Sequence, residues 1–593
     1  MQYRVSMPAP HGHLFHVEVT IDAPGEELAL AMPVWTPGSY LVREFARHVE
    51  GWSAHDGHGA PLATERLDKH RFRVATRGAA RAVVSYRVFA HELSVRTCHL
   101  DGTHGFFNGA ALLVHAAGRQ REPHTLEIDA PRGWRVACAL PPAPGAADPL
   151  ADGAPADGPW RFTARDYDEL VDSPVEVGPH QVVTFDALGR RHGLVVWGRT
   201  TSDLSRLVTD VRRVVEHLGA MMGGLPYERY LFLLHLTAGA RGGLEHAAST
   251  TLHVKRTGFH PREAYQDTLA LVAHEFFHVW NVKGLRPAAL VPYDYGAEQY
   301  TKLLWWFEGV TSYYDELTLV RAGLADPKRY LKHLGEQLTA LARVPGARKV
   351  SVEEASLTAW VKLYRPDENS ANSTVSYYLK GEVVALALDL LLRRSGSSLD
   401  DLVRSLYQRY RVGGLPEDAV EAAVGERVGT DAARAFFDRN VRGTGEPEID
   451  LGLVGLASRR RRAQGFDDKG GSPPKPDAGA TPGWLGLTLD GGSKLTVKNV
   501  REGSPAWRAG VYAGDEIVAE SRFRVDRGAL WDRLTERGPG GILHLTVFRQ
   551  DELVDVDVPL GDPTEDTVWL EPVPSPSPEQ RNAYEAWLST PAR

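Results

Sequence analysis

The 593-residue chain predicts a multidomain α+β protein. Three observations carry that expectation. Short runs that alternate apolar and polar residues, broken by Gly, Pro and Asp clusters, fill residues 3–178 and have the period of antiparallel β-structure. Apolar residues then recur at helical spacing through much of residues 202–440. Strand-like runs return between Trp484 and Leu560, after a stretch rich in Pro and Gly. A chain of this length is too long for one core and needs about three or four. Its 43% apolar content is enough to fill each of them. The expected division is an N-terminal antiparallel β domain over 1–178, a mixed and then helical domain over 179–455, a linker over 456–483, a small strand-rich domain over 484–562, and a Pro-rich tail over 563–593.

Composition narrows the function classes. A net charge of −8 and a pI near 6.3 give no basic field for nucleic acid. No stretch approaches about eighteen apolar residues, and Met1 to Pro8 lacks the apolar core of a signal peptide, so the expectation is a cytoplasmic protein without a membrane segment. Cys98 and Cys138 are the only cysteines. They supply neither a disulfide framework nor a cysteine metal site, although a single bridge between them remains open.

Taken in order, "HLFHVEVTI", "LALAMPVW", "HRFRVAT", "RAVVSYRVFA", "HTLEI" and "WRFTA" read as strands, with Pro141 to Pro159 as a surface loop. His11, His13 and His16 read as surface residues on strand edges. "QVVTFDAL" and "HGLVVWGR" are two further strands, followed by a helix from Ser202 to Met222 with Leu204, Leu207, Val211, Val214, Val215 and Leu218 on one face. Helical periodicity resumes over Asp267 to Trp280. It continues over Pro327 to Ala342, Tyr377 to Arg394, Leu399 to Tyr410 and Glu417 to Asn440, which suggests a bundle. Arg459 to Arg462 then open a polar connector that runs to Gly483, where four arginines read as a solvated run rather than as a site for an acidic partner. One short helical stretch, Glu579 to Leu588, lies in the tail.

The chemistry concentrates at His274-Glu275-Phe276-Phe277-His278. On a helix the two histidines stand one turn apart on one face, so both imidazoles can reach one metal. Glu275 is placed beside them to take a proton from water. A catalytic zinc usually has three protein ligands and keeps one position for water. A third donor occurs at Glu308, among bulky apolar residues in "WWFEGVTSYY", where an ionised carboxylate needs a neutralising partner. Lys302 or Arg321 could serve as that partner, and so could zinc, which suits two imidazoles and one carboxylate.

The strings "HEFFHVWNVKGLRP" and "WWFEGVTSYYDEL" closely resemble the glycyl aminopeptidase family of zinc peptidases, in the gluzincin clan. So do "MPVWTPGSYLVREFARH", "YDELVDSPVEVG" and "GGLEH", and the resemblance spans most of the chain. It implies a thermolysin-like catalytic domain with one zinc per chain on His274, His278 and Glu308, and Glu275 as general base. It also implies that Glu245, in "GGLEH", holds the free amino group of a peptide substrate. His246 stands where the clan carries Asn. Tyr378, in "SYYLKG", matches the clan's oxyanion-donating tyrosine, with Tyr377 as the other option. Gly284 departs from the family, which carries a basic residue there. The implied activity is removal of N-terminal residues, small ones such as Gly or Ala, from peptides. The stretch "GSPAWRAGVYAGDEIVAE" resembles a bacterial PDZ domain, which implies capture of a peptide or protein C-terminus, its carboxylate on the loop Leu485-Gly486-Leu487. Two other classes fit the same letters: a zinc endopeptidase fed by the PDZ domain, and a non-catalytic peptide-binding protein with a structural zinc.

Overall fold

The computed structural model describes residues 1–151, 153–155, 157–476 and 479–589. The chain divides into two compact units, Met1–Tyr300 with Arg404–Pro416, and Thr301–Val403 with the chain from Glu417 onward.

The first unit opens with a six-stranded sheet that is mixed, not antiparallel as alternation alone suggests. Its first strand, Gln2–Ser6, pairs antiparallel with Leu14–Asp22 on one side and parallel with His124–Asp129 on the other, Tyr3 lying beside Leu126. Alternation reports which face of a strand is buried, not the direction of its neighbour. Tyr3, Val5, Val17, Val19 and Ile21 point into the core that this sheet shares with two four-stranded sheets. Cys98 and Cys138 are both free and buried there, so no bridge joins them.

A second layer is a five-stranded sheet in the order Gln181–Ala187, Arg190–Trp197, Arg229–Thr237, Ser249–Lys255, Gly242–Glu245. Its three central strands run parallel. Parallel neighbours require a crossover, and helix Leu204–Met222 supplies one. Asp203 caps that helix by accepting from the Ser205 N–H at 2.9 Å, and Gly223 ends it in the left-handed conformation. The last strand, Gly242–Glu245, turns antiparallel and forms the sheet's edge. Helix Arg262–Phe277 carries the H-E-x-x-H segment, with His278 as its C-cap residue. Gly284 has a steric context: a Cβ there would lie 2.5 Å from the Tyr407 ring and 3.0 Å from the Val279 carbonyl oxygen, so a side chain there requires the Tyr407 ring to move.

In the second unit Glu308 sits in a single π-helical turn, Trp305–Gly309, that leads into helix Val310–Arg321. Helix Tyr377–Arg394 packs against this turn so closely that a Cβ on Gly309 would lie 2.4 Å from the Gly381 backbone. The run from Glu417 to Asn440 is two helices, Ala419–Val428 and Thr430–Asn440, broken at Gly429 with φ +93°. Leu456–Arg461, the expected start of the connector, is instead a strand paired with Thr567–Pro572. Each arginine of the run has an intramolecular partner: Arg459 Glu571, Arg460 Glu446, Arg461 Asp468, and Arg462 the Thr481 hydroxyl.

Residues 484–561 form a separate small core around Leu487, Val497, Ile517, Leu530, Leu543, Leu545 and Val558. It is built from hairpin Leu487–Leu489 and Val497–Val500, a four-stranded sheet, and helices Pro505–Ala509 and Arg527–Arg537. The tail helix, Pro578–Leu588, has a structural role that its sequence does not show. It buries Trp587, whose indole N–H donates to the Tyr313 hydroxyl at 2.7 Å and whose carbonyl accepts from Arg321 at 2.8 Å. Among the described residues no helix is long and apolar enough to cross a membrane.

Candidate functional site

In the first unit the site grows from the edge strand and the helix that passes it. The rings of His274 and His278 lie 4.9 Å apart, centre to centre. His278 Nδ1–H donates to the Asn281 carbonyl at 2.7 Å, a bond that leaves the lone pair on Nε2. Glu275 and His278 are buried, and polar atoms of Glu245, Glu275 and His278 lie within 4.8 Å of one another. Two glycines make this approach feasible. A Cβ on Gly243 would lie 2.1 Å from Glu275 Oε1, and one on Gly38 would lie 2.4 Å from Glu245 Oε1. Gly38 also has φ +85°, a conformation that disfavours other residues. The strand therefore meets the helix backbone to carboxylate, and the "WTPGSY" turn closes over Glu245.

Glu245 is 4% exposed, and its Oε1 has no hydrogen-bond partner among the described residues. A buried carboxylate oxygen without a donor is costly unless a cation or donor arrives. The turn after Glu245 is fastened from below. Asp172 accepts from His246 at 3.1 Å, from the Ala247 N–H at 2.9 Å and from Lys283 Nζ at 2.5 Å. Burial alone would raise the Asp172 pKa, but Lys283 and His246 outweigh it and hold the carboxyl well below its usual range. Burial would lower the Lys283 pKa, yet Asp172 drives it upward. His246 is thus a strut to Asp172.

A second buried group, His104, Glu176 and His235, lies deeper in this unit. Glu176 accepts from His104 at 3.0 Å on one oxygen and from His235 at 2.9 Å on the other, and His235 contacts His253 at 3.0 Å. Burial would raise the Glu176 pKa, but the two imidazoles hold it down to about 2. Both of its oxygens are engaged, so the group reads as a hydrogen-bonded tie between sheets.

In the second unit Glu308 is 2% exposed and follows three buried aromatic residues, Trp305, Trp306 and Phe307, in the chain. Tyr377 is fully buried and stacks on Tyr378 with ring centres 4.9 Å apart, while Tyr378 keeps part of its surface exposed. Burial and the nearby Glu308 charge raise the Tyr378 pKa well above 10, so its hydroxyl stays a neutral donor. Side chains of the type that hold a metal are therefore His274 and His278 in the first unit and Glu308 in the second. In the small C-terminal domain, Leu485 and Gly486 precede the strand Leu487–Leu489, and their N–H groups donate to nothing among the described residues. A Cβ on Gly486 would lie 2.2 Å from the Ser504 side chain.

Sequence reasoning missed Asp172, Glu176, Lys283, Gly38 and Gly243. The acidic residues Asp168, Asp172 and Glu176 recur every four positions in "YDELVDSPVEVG", a signal that could have marked them. Asp168 is tied as well, accepting from the Tyr295 hydroxyl at 2.7 Å.

An H-E-x-x-H helix lying along the edge strand of a mixed sheet, behind a β-rich N-terminal domain, is the framework of a metallopeptidase, and this chain is such a hydrolase. The Peptidase M61 N-terminal domain profile matches residues 2–179, and the M61 glycyl aminopeptidase profile matches residues 267–384. A crystal structure of an aminopeptidase N family protein from Idiomarina loihiensis is similar over 99% of both chains, with 32% identity and a TM-score of 0.91. An M1 zinc metallopeptidase from Deinococcus radiodurans is similar in fold, with 14% identity and a TM-score of 0.50 over 76% of this chain and 94% of its own. No curated protein matches the chain. The chain belongs to the M61 glycyl aminopeptidase family, and its class is that of a metallo-aminopeptidase.

Proposed function

We propose that the protein is a zinc aminopeptidase that removes one N-terminal residue at a time, with one zinc per chain held by His274, His278 and Glu308. The donor set supports zinc: two imidazoles, one with its tautomer set by Asn281, and a buried carboxylate. When bound, zinc would polarise the scissile carbonyl and acidify water. Glu275 takes the proton of the attacking water and delivers it to the leaving amine. The Tyr378 hydroxyl donates to the oxygen that gains charge, and its exposed surface and the adjoining Glu308 favour it over the enclosed Tyr377. Glu245 binds the substrate ammonium.

The observation that carries exopeptidase over endopeptidase is the buried, unpartnered Glu245 oxygen a few ångströms from Glu275. An internal peptide segment has no cation to offer it. Family membership favours Gly or Ala as the first residue. Within the C-terminal part, residues 484–562 read as a PDZ domain that takes a peptide C-terminus. The open N–H groups of Leu485 and Gly486 would receive the carboxylate, with Leu487 opening the strand beside it. The test pairs metal analysis with turnover on Gly- and Ala-dipeptide amides. Glu275→Gln should keep about one zinc and lose nearly all turnover, whereas His274→Ala and Glu308→Ala should lose the zinc. Full activity in Glu275→Gln would refute the mechanism.

A further inference from the structure

The cleft between the Leu485–Thr488 segment and helix Arg527–Arg537 is already visited by the chain itself. Besides Leu485, Leu487, Trp531 and Leu534, its walls include Gly465 and Phe466 of the connector. Phe466 stands edge-on to Trp531 with ring centres 5.3 Å apart and packs against the small domain's core. The next residue, Asp467, pairs with Arg527 in the first turn of the same helix at 2.9 Å. Consecutive residues thus engage the helix at two successive points of one wall. The segment is held in that shape by Asp468, which accepts from the Gln464 N–H at 2.8 Å and the Gly470 N–H at 3.0 Å and pairs with Arg461 at 2.5 Å.

What remains open is the other end. About 110 Å³ of free space lies along the Leu485–Thr488 segment, where N–H groups of Leu485 and Gly486 have no partner among the described residues. Within the described residues the strand Leu487–Leu489 pairs only with Val497–Val500, so its second edge is unused.

We propose that residues Gln464–Asp468 act as a displaceable occupant in cis, filling the side-chain end of the groove so that a peptide tail gains full access only when the connector leaves. This rests on the reading of residues 484–562 as a peptide-binding PDZ domain. A tethered segment competes at a high effective concentration even when its own contacts are weak, and an aromatic pair with one exposed ion pair is a contact of that kind. The cost to an incoming tail is therefore set by Phe466 and Asp467, and a tail with an aromatic residue and an acidic one would replace both contacts.

The test uses the full chain and a pool of fluorescent random heptapeptides with free C-termini, with the C-terminally amidated pool as control. Phe466→Ser and Asp467→Lys should each bind the free-carboxylate pool more tightly than the wild type, by about tenfold for Phe466→Ser. In the unmutated protein, saturating peptide should speed amide hydrogen exchange across Gln464–Asp468, a readout that needs no variant to fold. Equal affinity in wild type and both variants, with unchanged exchange in the connector, would overturn the masking while leaving the PDZ reading intact. Binding by neither wild type nor variants, or equal binding of free and amidated pools, would overturn the PDZ reading and the masking with it.

Discussion

Glu245→Gln isolates the charge that we assign to amine recognition. Glutamine keeps the volume that Gly38 accommodates, so the turn over residue 245 need not collapse, as it would around alanine. The position is 4% exposed and its Oε1 has no donor. An ammonium arriving there forms a desolvated pair, and removing one member of such a pair costs about 2–5 kcal/mol. That corresponds to a loss in kcat/KM between about 30-fold and several thousandfold on free-amine dipeptide amides, with metal content unchanged. Acetylating the substrate removes the same pair from the other side. The wild type should therefore discriminate against N-acetyl substrates by a comparable factor, and Glu245→Gln acting on acetylated substrate should lose little more than either change alone. The assay is the four-cornered cycle of two enzymes and two substrates. If the wild type cleaves free and acetylated substrates equally, or if the two losses multiply, Glu245 does not bind the amine and the endopeptidase reading takes its place.

Two further predictions follow from packing. If Glu275 is the base we propose, Gly243→Ala should cut turnover by at least about tenfold while metal analysis stays at the wild-type value, because the new Cβ would lie 2.1 Å from Glu275 Oε1 and displace that carboxylate rather than the histidines. Lys380 is 1% exposed, and its hydrogen-bond partners among the described residues are the carbonyls of Ala347 and Gly443, at 3.4 and 3.3 Å. Burial lowers its pKa to about 8, so between pH 8 and the unfolded value near 10.5 the unfolded chain holds more protons and stability rises with pH. Below pH 8 the full penalty, on the order of 3 kcal/mol, is present. Lys380→Met should raise the melting temperature at pH 7 and abolish that rise. A melting curve whose pH dependence between 8 and 10 is unchanged by the substitution would show that Lys380 is not its source.

The local patterns were legible and the partners were not. Helix Leu204–Met222 shows in the sequence because one buried face imposes a 3.6-residue period, whereas the H-E-x-x-H helix, buried on nearly every side from Thr268 to Phe277, shows by its run of apolar residues and its motif. The parallel pairing of Gln2–Ser6 with His124–Asp129 does not show, since the strand's own alternation is the same in either direction. Strand Leu456–Arg461 was hidden because only Leu456 is a fully buried apolar residue, while Arg459 and Arg460 face outward to ion partners and Arg461 turns in to pair with Asp468. The π-turn at Glu308 was hidden because one extra residue in a turn leaves the flanking periodicity intact. In the site, ligand-type residues announced themselves by chemistry. The glycines that let Glu245 and Glu275 approach their neighbours did not, because a glycine in sequence looks the same whether it makes a turn or makes room.

The small C-terminal domain is an insertion, and that changes which truncation is informative. Its two ends meet, the Trp484 N–H donating to the Gly561 carbonyl at 2.9 Å and the reverse bond spanning 3.1 Å. After it the chain returns to pair Thr567–Pro572 with Leu456–Arg461 and to bury Trp587 beside Tyr313. Cutting the chain in the connector and discarding everything beyond would strip that strand and that tryptophan from the helical unit, so loss of activity would report instability. Excising residues 484–561 and closing the gap with two or three glycines spares both. The contacts given up are the Asn372 amide to the Val500 carbonyl at 2.9 Å, the Glu502 N–H to Asn372 at 3.0 Å, the Arg501 pair with Asp566 at 3.3 Å and the Lys349 pair with Glu502, together with the connector's own contacts, Phe466 on Trp531, Asp467 with Arg527 and the Gly483 N–H to the Leu534 carbonyl at 2.8 Å. At about 0.5–1.5 kcal/mol for each hydrogen bond, the first two stabilise the segment just ahead of Tyr378 by roughly 1–3 kcal/mol. The excised enzyme should therefore fold and load metal, and should hydrolyse dipeptide amides with kcat within about tenfold of the full chain. A folded, metal-loaded deletion with no turnover would mean that the Asn372 contacts hold Tyr378 in its working position, and that the inserted domain is part of the catalytic machinery.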